Sequence, residues 1–105
     1  MGVDATAYTI YGIKIKFDDD LAEEVGDNED PHVLMDGMCG NYMILGPVLF
    51  SCDVYEGEEG DLTQHTFEQL VTKWEKWEKK FRTKYPKFVK YLDKAPRIIS
   101  LVHYS

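Results

Sequence analysis

A chain of 105 residues, 44% hydrophobic and 13% aromatic, has enough apolar mass for one core and no room for a second domain, so residues 1–105 read as a single domain. A net charge of −7, from 19 Asp and Glu against 12 Lys and Arg, disfavours direct binding to a phosphate backbone. No run approaches the roughly 18 apolar residues of a membrane span, and Asp4 close behind Met1 is unlike a basic-then-apolar leader, which leads us to expect a protein of the cytoplasm.

From the N-terminus, residues 7–17 (AYTIYGIKIKF) are rich in β-branched and aromatic side chains and predict a strand. Tyr8 and Ile10 fall on one face while Ile13, Ile15 and Phe17 fall on the other, so Gly12 is expected to be a bulge that kinks the strand and switches its register. Residues 18–26 (DDDLAEEVG) predict a short helix capped by Asp18, with acids at the positive end of its dipole and Gly26 closing it. A polar loop to His32 follows. Short apolar runs at 33–35 and 42–45, separated by a glycine-containing connection, predict a hairpin. Gly46-Pro47 marks a turn into a strand at 48–54, and residues 55–61 (YEGEEGD) an acidic loop.

The clearest element is an amphipathic helix over residues 66–85: Phe67, Leu70, Val71, Trp74, Trp77, Phe81 and Tyr85 recur at helical spacing, and Thr66 with Gln69 forms a capping-box pattern. Pro86 ends it, a second short helix is expected over 87–94, and residues 97–104 (RIISLVHY), apolar on both faces, predict a strand interior to the sheet. The fold class is therefore α+β: an antiparallel or mixed sheet of about four strands with the long helix packed on one face and two short helices.

Charge is distributed unevenly. Residues 1–62 carry 15 acids against Lys14 and Lys16, a net −13, whereas residues 63–105 carry 4 acids against 10 Lys and Arg, a net +6. Such asymmetry marks an interaction surface, or else two halves that face each other and partly cancel. Three acidic clusters stand out: Asp18, Asp19, Asp20, Glu23 and Glu24; then Asp27, Glu29 and Asp30; then Glu56, Glu58, Glu59 and Asp61. Carboxylates spaced along a surface imitate a phosphate backbone and suit the basic groove of a nucleic-acid-handling protein; the competing reading is solvated surface that keeps the chain soluble.

Other chemistries find less support. Neither acidic loop matches the twelve-residue calcium loop, and Cys39 and Cys52 lack zinc-site spacing, so no metal or cofactor is expected and the cysteines are read as buried free thiols. His32, His65 and His103 are accompanied by no nucleophile signature and are read as ordinary surface or strand-end residues; a pocket joining two of them would revive a metal-dependent or hydrolytic enzyme. Lys73, Lys76, Lys80 and Lys84 lie along one helix face with Trp77 at its margin, within reach of a base or phosphate, yet lysines so placed are usually a solvent face.

The opening MGVDATAYTIYG resembles the start of small bacteriophage-type accessory proteins, over about a tenth of the chain. That resemblance implies an accessory protein acting on a host component and working in the host cytoplasm. The leading expectation is a non-enzymatic acidic protein-binding module, an inhibitor of a basic host nucleic-acid-handling or defence protein, using the three acidic clusters. The alternative is a self-associating domain whose sheet edges or exposed aromatics bury against a second copy, a homodimer.

Overall fold

The computed structural model describes residues 5–37, 39–54 and 64–104. Its elements are β1 (Ala5–Lys16), α1 (Asp19–Val25), β2 (Val33–Met35), β3 (Tyr42–Leu45), β4 (Val48–Asp53), α2 (Phe67–Lys84), a 3-10 segment (Pro86–Asp93) and β5 (Arg97–Tyr104). The fold is α+β, with an antiparallel sheet and one long helix. Among the described residues no helix is long and apolar enough to cross a membrane.

Both helices begin where the sequence supplies a cap. The Asp18 Oδ1 accepts from the Asp20 and Leu21 N–H groups at 3.0 and 3.1 Å, satisfying donors that the first turn leaves orphaned. In α2 the Thr66 hydroxyl accepts from the Gln69 N–H at 3.2 Å while the Thr66 N–H donates to Gln69 Oε1 at 2.9 Å. Four residues on one face of α2 are buried, Leu70, Trp74, Trp77 and Phe81. The rings of the last three stack in sequence, with centroids 5.2 Å apart for Trp74–Trp77 and 4.9 Å for Trp77–Phe81.

β1 is the spine of the sheet. One edge of its N-terminal half pairs with β5, Ala5 opposite Tyr104 through Gly12 opposite Arg97. The other edge is shared by β4 and β3 laid end to end: Ile10 pairs with Val48 and Ile13 with Leu45, and between them the Tyr11 N–H donates to the Pro47 carbonyl at 3.1 Å. β2 pairs on the far side of β3. Five strands thus occupy four lanes.

β1 cannot be straight. Thr6 pairs with His103 and Lys16 with Tyr42, and a strand rising about 3.3 Å per residue would hold those ladder rungs some 33 Å apart. Yet the Tyr42 hydroxyl lies 3.0 Å from His103 Nδ1. The sheet therefore folds over on itself, bringing the β2–β3 hairpin across the face of the β1–β4–β5 end.

The fold-over divides the core in two. Ile10, Leu34 and Ile44 lie between the apposed halves, joined by Tyr8, Tyr42, Val48, Ile99 and Leu101. The opposite face of the hairpin half carries Ile13, Ile15, Val33, Met43 and Leu45, and α1, α2 and the 3-10 segment cover it. Even positions of β1 serve the first core and odd positions the second. The apparent change of face at Gly12 is ordinary alternation with a different face buried at each end. The expected register switch at Gly12 is accordingly corrected: the irregularity in the ladder lies between Thr9 and Ile10, where Leu49 is the extra residue on β4.

β5 was expected inside the sheet because both its faces are apolar; among the described strands it pairs with β1 alone and forms an edge. One face, with Ile99 and Leu101, packs into the inner core. The other leaves Ile98, Val102 and Tyr104 exposed at 61, 45 and 51%.

Candidate functional site

The acidic residues of the first two clusters gather at one end of the molecule, on α1 and the loop after it. Asp19, Asp20, Glu23, Glu24, Asp27, Glu29 and Asp30 are all exposed. Asp18 is spent internally: besides its capping bonds, its Oδ2 accepts from the Tyr91 hydroxyl of the 3-10 segment. That bond draws the Asp18 carboxyl below its usual range and pushes the Tyr91 phenol up to about 12. Glu56, Glu58, Glu59 and Asp61 lie outside the described residues.

The basic part of the chain comes to meet these acids. Lys80 pairs with Asp30 at 2.8 Å, and Lys84 donates to the Asp30 carbonyl at 2.8 Å. Asp18, Asp19 and Asp20 share an open groove of about 860 Å³ with Lys16, Lys90 and Lys94. Lys87 and Lys90 stand across a neighbouring groove from Glu23 and Glu24. Cancellation between the two halves is thus real at this end. It leaves Asp19, Asp20, Glu23, Glu24, Asp27 and Glu29 with no ion pair to any described residue.

Trp77 does not border a lysine face open to ligands. The residue is 5% exposed, and its indole N–H donates to the His32 carbonyl at 2.8 Å, fastening the loop before β2 to α2. Cys39 and Cys52 are not joined in a disulfide, and the expectation that both are buried is corrected: Cys39 is exposed and Cys52 only half-buried. Among the described residues no group of three or more His, Cys, Asp or Glu is placed to hold a metal ion.

One constellation escaped the sequence. His32 and His103, 71 positions apart, meet at the mouth of the inner core. Their rings each lie 6.1 Å from that of Tyr8, and Tyr42 closes the group through its hydroxyl to His103 Nδ1. His103 is buried, and so is Asp36, whose carboxylate accepts from the Cys39 and Asn41 N–H groups and turns the β2–β3 connection. His32 Nδ1 is buried without a hydrogen-bond partner among the described residues. Burial holds both imidazoles below their ordinary range; Glu29 opposes this at His32 and Asp36 at His103, while His103 adds to the lowering at His32. The parity of Tyr8, Tyr42 and the inner-core residues was readable from the strands, but the fold-over that joins opposite ends of β1 was not.

This pair makes stability depend on pH. Both histidines bind a proton less readily folded than unfolded, so their contribution is fully present above about pH 6.5 and is lost as pH falls through the lower folded values. The urea midpoint is expected to drop between pH 7.5 and 5, a window above that in which Asp18 titrates. His32→Gln and His103→Gln should each flatten that dependence, and an unchanged slope in both would show that neither imidazole is linked to folding.

No family model, curated protein or solved structure matches this chain.

Proposed function

We propose that this protein is a non-enzymatic binding module that meets a basic protein partner through the acidic end formed by α1 and the loop after it. The observation that carries the reading is the set of six exposed carboxylates there, Asp19, Asp20, Glu23, Glu24, Asp27 and Glu29, that the neighbouring lysines leave without an ion pair among the described residues. Their spacing suits a cationic patch on a protein, where complementary charge speeds encounter and fixes orientation. Lys80, Lys84, Lys87 and Lys90 interrupt the surface, which argues for a discrete basic patch and against a continuous imitation of a nucleic-acid backbone. A partner that itself handles nucleic acid presents such a patch, and an inhibitor of that class fits the resemblance of the opening residues.

Reversing Asp19, Glu23, Glu24 and Glu29 to lysine tests this with little risk to the fold, because all four side chains are exposed. The immobilised wild-type chain is expected to retain a basic protein from host lysate at low salt and release it at high salt, since exposed charge contacts are screened. The fourfold reversal should lose at least tenfold in affinity for that protein. Equal retention by the folded variant would overturn the assignment.

A further inference from the structure

We propose that the outer edge of β5 is a self-association surface, and that its occupant is the β5 of a second copy of this chain. Natural sheets blunt their edges with charge, proline, bulges or short strands. Apart from Arg97 at its first position β5 has none of these: from Ile98 to Tyr104 it carries no Lys, Arg, Asp, Glu or Pro, and it pairs with β1 without irregularity for eight residues, Arg97 included. Its outer backbone groups are a ready template for another strand.

The occupant follows from charge and from parity. A chain of net charge −7 repels its own copies over most of its surface, and this uncharged strip is a line along which two can approach. When two identical strands pair antiparallel about a two-fold axis, a register centred on Leu101 sets Ile98 opposite the second copy's Tyr104 and Val102 opposite its Ser100, and keeps Arg97 beyond the paired stretch. The exposed face of β5 is then continuous across the axis, Ile98, Val102 and Tyr104 of each copy merging into one apolar strip. Aliphatic residues beside aromatic ones are favourable cross-strand neighbours. Seven paired residues span about 23 Å, a small interface, so dissociation in the micromolar range is expected. This surface is distinct from the acidic end, and either assignment stands without the other.

Sedimentation under reducing conditions should show the 12.2 kDa chain passing to twice that mass as concentration rises through the micromolar range. Val102→Lys, at an exposed position, should stay monomeric at roughly tenfold higher concentration, with its circular dichroism unchanged; Ser100→Lys serves should that variant fail to fold. The register has its own readout. In a Cys39→Ser background, Ser100→Cys and Val102→Cys proteins should form a disulfide dimer on mixing with oxidised glutathione as the oxidant, and little of it separately, because like positions are diagonal neighbours about 7–8 Å apart, too far to bridge. A wild-type chain monomeric throughout, or a dimer indifferent to both lysine variants, overturns the proposal.

Discussion

Replacing Gly12 by alanine is expected to cost about 3 kcal/mol or more, a large part of the stability of a domain of this size. A β-carbon at Gly12 would lie 2.3 Å from the Leu45 carbonyl oxygen and 2.9 Å from its carbon. Gly46 faces the same problem from the other strand, its β-carbon falling 2.3 Å from the Tyr11 carbonyl oxygen and 2.6 Å from the Gly12 α-carbon. Neither backbone can give way, because pairing of Ile13 with Leu45 and the Tyr11 to Pro47 hydrogen bond fix both sides of the contact. The two glycines face each other at the line where the sheet folds over, and a methyl group there would force apart the halves that enclose Ile10, Leu34 and Ile44. Gly37 is the control: a β-carbon there meets nothing within 4 Å, so Gly37→Ala should shift the urea midpoint by no more than about 0.5 kcal/mol in stability. A Gly12→Ala protein as stable as Gly37→Ala would remove the fold line from this account.

The role of Gly12 also shows where reading the sequence stops. The chain announces a change of buried face at that residue, and a bulge is the local explanation because a bulge needs only one strand. The true cause is tertiary: the strand alternates regularly, and two different layers cover its opposite ends. In the same way RIISLVHY shows apolar residues on both faces, which ordinarily means an interior strand, whereas here one face serves the inner core and the other is left open at an edge. The helices were legible because their signals are local: Asp18, Thr66 and Gln69 cap within four residues, and the Trp74, Trp77, Phe81 stripe repeats within two turns. Charge was legible in amount and not in arrangement. The −13 and +6 halves were plain, but that Lys80 reaches back 50 residues to Asp30 depends on α2 crossing the hairpin half, which no spacing encodes. The His32–His103 pair was hidden for the same reason.

Phe81→Ala should be the most damaging single truncation of a core side chain, at about 3–5 kcal/mol. Phe81 is the largest fully buried side chain among the described residues, and it stands between Trp77 at 4.9 Å and Tyr85 at 5.3 Å in the aromatic row of α2. Its loss removes both neighbours' contact and opens a cavity that a row held at three further points cannot easily collapse: Trp77 is tied to the His32 carbonyl, Trp74 packs edge-on against Tyr11 at 6.3 Å, and Tyr85 closes the helix through its N–H to the Phe81 carbonyl. Phe67→Ala on the same helix, at a position 73% exposed, should cost little, which separates packing from helix propensity. The chain's two tryptophans both stand in this row, so their fluorescence reports the change directly in a urea titration. Because Trp77 also fastens the loop carrying His32, the Phe81 variant should expose that imidazole to water and weaken the fall in stability between pH 7.5 and 5. A Phe81→Ala protein that lost less than about 1 kcal/mol, with its pH dependence intact, would mean that the stack and the histidine pair are not mechanically joined.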